Sequence, residues 1–357
     1  MDKQIQDTRN FLSKYLSKSK DYFDFNLMNK KEIRIIVDKE NVNIGKSSDK
    51  GGKLRLWDGE KFLEEASTKY DIGTLEKNFD TLQSRKNLET VSNFTEIKVD
   101  KKKDVQNFIT EEEKTLTLEE KTNKIKEIRD TVSKLDHVVN CRAAFIEEIE
   151  HHLFVNNYKD YYQDVIGKTL VVIAYIKASN GEIKMAYESV VSDNDQELFS
   201  TMLNSLGSIK ESIQRKLNAT KLKGGKYKAV LSPKISGLLA HESFGHGMEA
   251  DTMMKGRALA TKWSGKKVAE KNVSIVDYPN IEKKHGFFNF DHEGNLAKKT
   301  YLVKNGIIST PMADLYSKTK LDLGTSSNGR FESFDHKHYT RMSNTYFEEV
   351  DKELNEL

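Results

Sequence analysis

Two imidazoles and a carboxylate fall within six residues at His241, Glu242 and His246, in the pattern H-E-x-x-x-H. A zinc hydrolase needs such a set: neutral nitrogens to hold the metal, and an acid to take the proton of the attacking water. The spacing carries a structural demand. Around a regular helix, positions i and i+4 lie about 40° apart and positions i and i+5 about 140° apart. His241 and His246 would then point away from each other. For both to reach one ion, the turn must loosen into an i→i+5 bulge or unwind after Phe244, and Gly245 and Gly247 permit either.

Other residues could serve the same site. Glu249 either orients a histidine N–H or is a helix-end carboxylate. Catalytic zinc sites usually have three protein ligands, and Asp251, His285, His292, His336 and His338 are the further candidates, the histidines read mainly as exposed loop residues. Arg330 and Arg341 could hold a peptide carboxylate or backbone, or clamp Glu332 and Asp335; the structural clamp is the favoured reading. His151 and His152 alternate across a strand and cannot chelate one ion together, so they are expected at the surface or a sheet edge. Cys141 reads as a small, half-buried strand residue.

The elements that must position these residues suggest an α+β fold with mixed, largely antiparallel sheets, packed helices and several domains. Residues 1–100 form an N-terminal α+β domain: a helix within 3–20, then short strands at 22–28, 32–38, 41–45 and 53–57. Turns are expected at Asn29 to Lys31, at Lys39 and Glu40, and at Gly51-Gly52, with a helix from Glu60 to about Gln83. Residues 101–222 form a second α+β unit. It follows a polar connection at 84–115 and opens on a capping box at Thr117 to Glu120. Strands are expected at 138–155 and 163–176, with a hairpin turn at Ser179-Asn180-Gly181. A long helix then follows within 193–222. Residues 223–357 begin with a buried strand at 226–231. Ser232 as N-cap and Pro233 at the first helical position then start a helix that reaches His246. A strand at 273–276 and a hairpin across Asn305-Gly306 follow.

Composition excludes several classes. The chain has 357 residues, with 58 Lys and Arg against 55 Asp and Glu; a net charge of +3 gives no field that demands nucleic acid. The run Lys101 to Lys103 reads as a solvated linker. No apolar run reaches the roughly 18 residues of a membrane span, and the first residues lack a signal peptide's basic start and apolar core, so a cytoplasmic protein is expected. One cysteine rules out an internal disulfide framework and suits a reducing compartment.

His241-Glu-Ser-Phe-Gly-His-Gly-Met-Glu-Ala-Asp251 resembles the signature of the TldD half of the TldD/PmbA (TldE) metalloprotease family. Val273 to Asp277, the Asp291-His-Glu-Gly turn, Ser327 to Ser333 and Arg341 to Asn344 resemble further blocks in the same order. The resemblance implies zinc held by His241 and His246 and Glu242 as catalytic base. It also implies an unfolded or leader-peptide substrate, and either a TldE/PmbA-like partner subunit or a homo-oligomer. The family's third ligand is a cysteine in a Gly-rich segment near the C-terminus. No such residue follows the Arg341 block, so the final β-rich part of the catalytic domain is expected to be absent and its edges to leave exposed apolar surface. Three readings follow: a zinc endopeptidase subunit, a family member that binds peptides as a scaffold without cleaving them, and a metal hydrolase that is not a peptidase, which rests on the motif alone.

Overall fold

A computed structural model describes residues 3–88, 94–110, 115–258 and 260–349. Its frame is one seven-stranded sheet. Helix α1 (Lys3–Leu16) leads into β1 (Phe23–Val37), β2 (Val42–Trp57) and β3 (Phe62–Ser67), then α2 (Ile72–Leu88) and β4 (Asp104–Phe108). Helix α3 (Leu118–Ser133) precedes β5 (Val138–Asn156), β6 (Lys159–Lys177) and β7 (Ile183–Ser192), and α4 (Asp195–Leu217) closes this half. The strand order is β3-β2-β1-β5-β6-β4, with β7 also paired to β6, so strands from 1–100 and from 101–222 share one sheet. All pairs are antiparallel except β4 with β6.

Several expected boundaries move. Residues 29–31 and 51–52 lie inside β1 and β2 rather than in turns, because their backbone is paired along an unbroken ladder from Phe23↔Leu56 to Val37↔Val42. Gly51 and Gly52 stand where the rings of Phe334 and Phe25 lie on the backbone, a close approach that reads in sequence like a turn. Residues 62–67 form β3 instead of the first half of a helix. Part of the expected connection at 84–115 is β4, and Ile97 is buried against Trp57 and Leu315; residues 89–93 and 111–114 lie outside the described residues. The Thr117–Glu120 capping box is formed, and the turn before β7 has Gly181 at φ +83°.

The period of two assigns the sheet's faces. Odd positions of β1 and β5, such as Phe25, Ile35, Phe145 and Leu153, meet the helices: α3 and α4 cover one end, and α1 and α2 the other. Even positions turn the opposite way, and near the middle of the sheet they are buried although polar: Asp24, Asn26 and His152 are each 0% exposed. The third part of the chain covers them.

That part starts with residues 219–232, which are exposed and carry no strand. The expected buried strand at 226–231 is therefore overturned: its alternation has no partner strand among the described residues, and Tyr227 and Val230 face solvent. Helix α5 (Pro233–Leu239) begins with Ser232 as N-cap and Pro233 at its start, and it runs into a π-turn at Ala240–Gly245 and a 3₁₀ turn at His246–Met248. Then come α6 (Ala250–Met254), α7 (Ala260–Trp263), β8 (Ile275–Asp277), β9 (Thr300–Lys304), β10 (Ile307–Ile308), α8 (Leu315–Leu321), β11 (Gly329–Arg330), β12 (Tyr339–Thr340) and β13 (Thr345–Phe347). A four-stranded sheet, β10-β9-β8-β13, backs the π-turn. Asn305 and Gly306, at φ 51° and 78°, make the expected hairpin between β9 and β10. Among the described residues, no helix is long and apolar enough to cross a membrane.

Candidate metal centre

Ala240 and Met248 anchor the π-turn in a core with Ile275, Leu302, Val303 and Met312, which leaves the other face of the turn free. The extra residue in the turn is visible in its hydrogen bonding: the His246 N–H donates to the His241 carbonyl, five residues back. The i→i+5 ring closes the angle that a regular helix would open between these positions. The two imidazoles stand edge to face with centroids 4.9 Å apart. Gly245 is buried, and a Cβ there would run into the Met342 side chain, so a close approach by the segment before β13 requires this glycine.

Glu242 is exposed beside His241, which is half-buried. Glu249 is only 2% exposed, and its Oε2 lies 3.3 Å from His246 Nδ1. That contact leaves His246 Nε2 as the remaining nitrogen. Its backbone is fixed beside Met312 by the bonds Ala250 N–H to Met312 O and Met312 N–H to Met248 O, each 2.9 Å. Burial raises the Glu249 carboxyl above its ordinary range, and its Oε1 has no hydrogen-bond partner. A buried carboxylate holding one imidazole nitrogen is what a metal-ligating histidine needs behind it, so these residues fit a zinc ion from one side.

Glu150, His152 and His292 form a second cluster, their ligand-type atoms lying within 4.8 Å of one another. It is the one such group of three among the described residues, and it includes neither His241 nor His246. The expectation of surface positions fails for His152, His292 and His338, which are 0%, 5% and 4% exposed; His285 and His336 are exposed as expected. His152 and His151 do point to opposite faces, but the face holding His152 is the covered one. Hydrogen bonding argues against a metal in this cluster. The Phe331 N–H donates to His292 Nδ1 at 3.0 Å, so the ring's proton sits on Nε2, 3.6 Å from Glu150 Oε1. His152 Nε2 bonds Asn26 Oδ1 at 2.9 Å. Burial pushes His152 down to about 3 and lowers His292. Burial opposes ionisation of Glu150, but the His292 hydrogen bond and, further down in size, the Arg330 charge favour the carboxylate and hold it at about 2.

Neither arginine clamps the acids expected for it. Arg330 lies with its guanidinium 5.1 Å from the Phe288 ring, and Arg341 donates to Thr340 O at 2.8 Å and lies over Tyr339. Glu332 and Asp335 both face His336. Cys141 is buried on the helix-covered face, where burial pushes its thiol up to about 12. Sequence reading missed the buried Arg55, which binds Asp24 through two bonds of 2.8 and 2.7 Å and Glu293 through one of 3.0 Å.

Residues 224–357 match the PmbA/TldA metallopeptidase C-terminal domain family. Over this segment the chain is a member of the TldD/PmbA family. Among its curated relatives is a metalloprotease of Methanocaldococcus jannaschii, 29% identical over 55% of this chain and 47% of that one. A zinc metalloprotease TldD homolog of Saccharolobus solfataricus is 26% identical over 67% and 54%. The chain spans about half the length of the curated relatives it matches. Its fold resembles a Thermotoga maritima protein described as a modulator of a DNA gyrase, with TM-score 0.79, 16% identity and coverage of 99% and 79%. It also resembles TldE of Thermococcus kodakarensis, with TM-score 0.67, 14% identity and coverage of 98% and 79%. The H-E-x-x-x-H turn of this TldD/PmbA member lies inside the matched family segment.

Proposed function

We propose that the chain is a zinc peptidase subunit acting on unfolded or leader peptides in the cytoplasm, together with a TldE/PmbA-like partner or a second copy of itself. The observation that carries this reading is the π-turn, whose i→i+5 bond brings His241 and His246 to a 4.9 Å ring separation that a regular helix would deny them. His241 and His246 hold the metal, and Glu249 orients His246. Zinc, when bound, supplies a Lewis acid and makes water more acidic. The exposed Glu242 carboxylate takes the proton of the attacking water and returns it to the leaving amine. The buried Cys141 agrees with a reducing compartment.

A second reading has its own support. No group of three potential ligands among the described residues includes the two histidines, which favours a subunit that binds peptides and leaves cleavage to an assembly. Metal analysis paired with cleavage of an unfolded peptide, by this chain alone and with a partner, separates the two. Glu242→Gln keeps zinc and loses cleavage under the first reading; cleavage that persists in this variant removes Glu242 from the role.

A further inference from the structure

Behind the π-turn lies a cavity of about 530 Å³. Ser243, Phe244 and Gly247 of the H-E-x-x-x-H turn line it together with Ala260 and Trp263 of α7 and with Ile308. The size is that of a site for a small organic ligand. Its chemistry is apolar. The charges at the rim, Lys267 and Glu270, face each other at 3.4 Å and cancel, and no histidine, cysteine or arginine lines it. Metal and phosphate ligands are therefore poor matches. Trp263 is 47% exposed, an apolar ring left in contact with water. A Cβ at Gly247 would meet nothing within 4 Å, so the wall nearest the motif opens into free space.

The wall residues alternate in sequence with the proposed catalytic ones: Ser243 follows Glu242, and Gly247 follows His246. A helix with its side chains is about 10 Å across, and an extended peptide advances about 3.3 Å per residue. A peptide drawn over the turn reaches the cavity two or three residues from the bond at Glu242. We propose that this cavity is a subsite for a bulky apolar side chain, aliphatic or aromatic, of the peptide substrate. The inference rests on the peptide-binding part of the proposed function and adds a substrate preference to it.

The test uses the full chain carrying Glu242→Gln, so that peptides bind without being consumed. Unstructured peptides that differ at one position, Phe or Leu against Ser, are titrated by calorimetry. Tryptophan emission is followed in parallel, since Trp57 is already buried at 5% exposure and a blue shift reports Trp263. The Phe and Leu peptides should bind about tenfold more tightly than the Ser peptide and shift the emission to the blue. Gly247→Leu, which fills the cavity, should abolish both effects. Trp263→Ala lies outside the motif and should weaken the preference whether or not the Gly247 variant folds. Equal affinities, or a preference that survives Trp263→Ala, overturns the subsite. A cleavage assay on the unaltered chain keeps the two ideas apart: cleavage without apolar preference sinks the subsite alone, whereas the preference without cleavage sustains the subsite and sinks the peptidase reading.

Discussion

Glu249 gives one of the two imidazoles a fixed direction. With a buried carboxylate 3.3 Å from Nδ1, His246 has one ring nitrogen engaged and Nε2 left over. Removing such a partner typically costs 10–100-fold in metal affinity. Glu249→Ala should therefore weaken zinc about 10–100-fold in a chelator competition while leaving the melting temperature within a few degrees; unchanged affinity would show that the carboxylate only fills space. At this scale much was legible in the sequence. His241, Glu242 and His246 and the bulge they require could be read directly, because one helical period fixes the geometry of six consecutive residues. His152 could not. Alternation told that it opposes His151, yet which face is covered depends on Phe290, His292 and Phe331, more than 130 residues downstream.

The π-turn is held by its neighbours as much as by its own bonds. Gly245 lets the Met342 side chain lie directly on the backbone, so Gly245→Ala must push that side chain aside. Overpacking of this kind costs about 1–3 kcal/mol. The variant should melt earlier and lose zinc affinity together, and a melting shift without any change in zinc would separate the turn's packing from its metal geometry. Long strands were the elements least visible in sequence. β1 and β2 run 15 and 16 residues through a polar middle, Asn29 to Glu32 opposite Ser47 to Lys50, whose hydropathy gives no sign of pairing. The stretch at 226–231 erred the other way: a strand needs a partner as well as an alternating pattern.

Across the whole molecule, the sheet and the third part meet through a buried polar layer. Arg55 pairs with Asp24 and also holds Glu293, whose carboxyl burial pushes up to about 8. Truncating Arg55→Met would strand two buried carboxyls at a cost of about 3–5 kcal/mol. Denaturant unfolding should show that loss, and a variant within 1 kcal/mol of the parent would mean that water reaches the layer. His152 adds a pH dependence of its own. Its folded value is about 3, against about 6.5 when unfolded, so below about pH 6.5 the unfolded chain takes up a proton that the folded chain refuses. Its stabilising contribution is complete above that pH and falls by about 1.4 kcal/mol per unit below it. Between pH 6 and 4.5, His152→Gln should make the stability curve shallower by that slope; parallel curves would place a charged imidazole in the interface.

The hydrogen bonds across this joint use side chains, as with Gln163 to Phe290 O, Lys159 to Gly294 O and Lys98 N–H to Thr319 Oγ1. Among the described residues, no strand passes from one body to the other. A shared ladder would tie both bodies to one backbone register, which no single substitution can alter. A joint of side chains can be rewritten one residue at a time. The sheet and the part that carries the H-E-x-x-x-H turn can therefore be re-paired through matched exchanges at positions such as Arg55 and Glu293 without a change of fold in either.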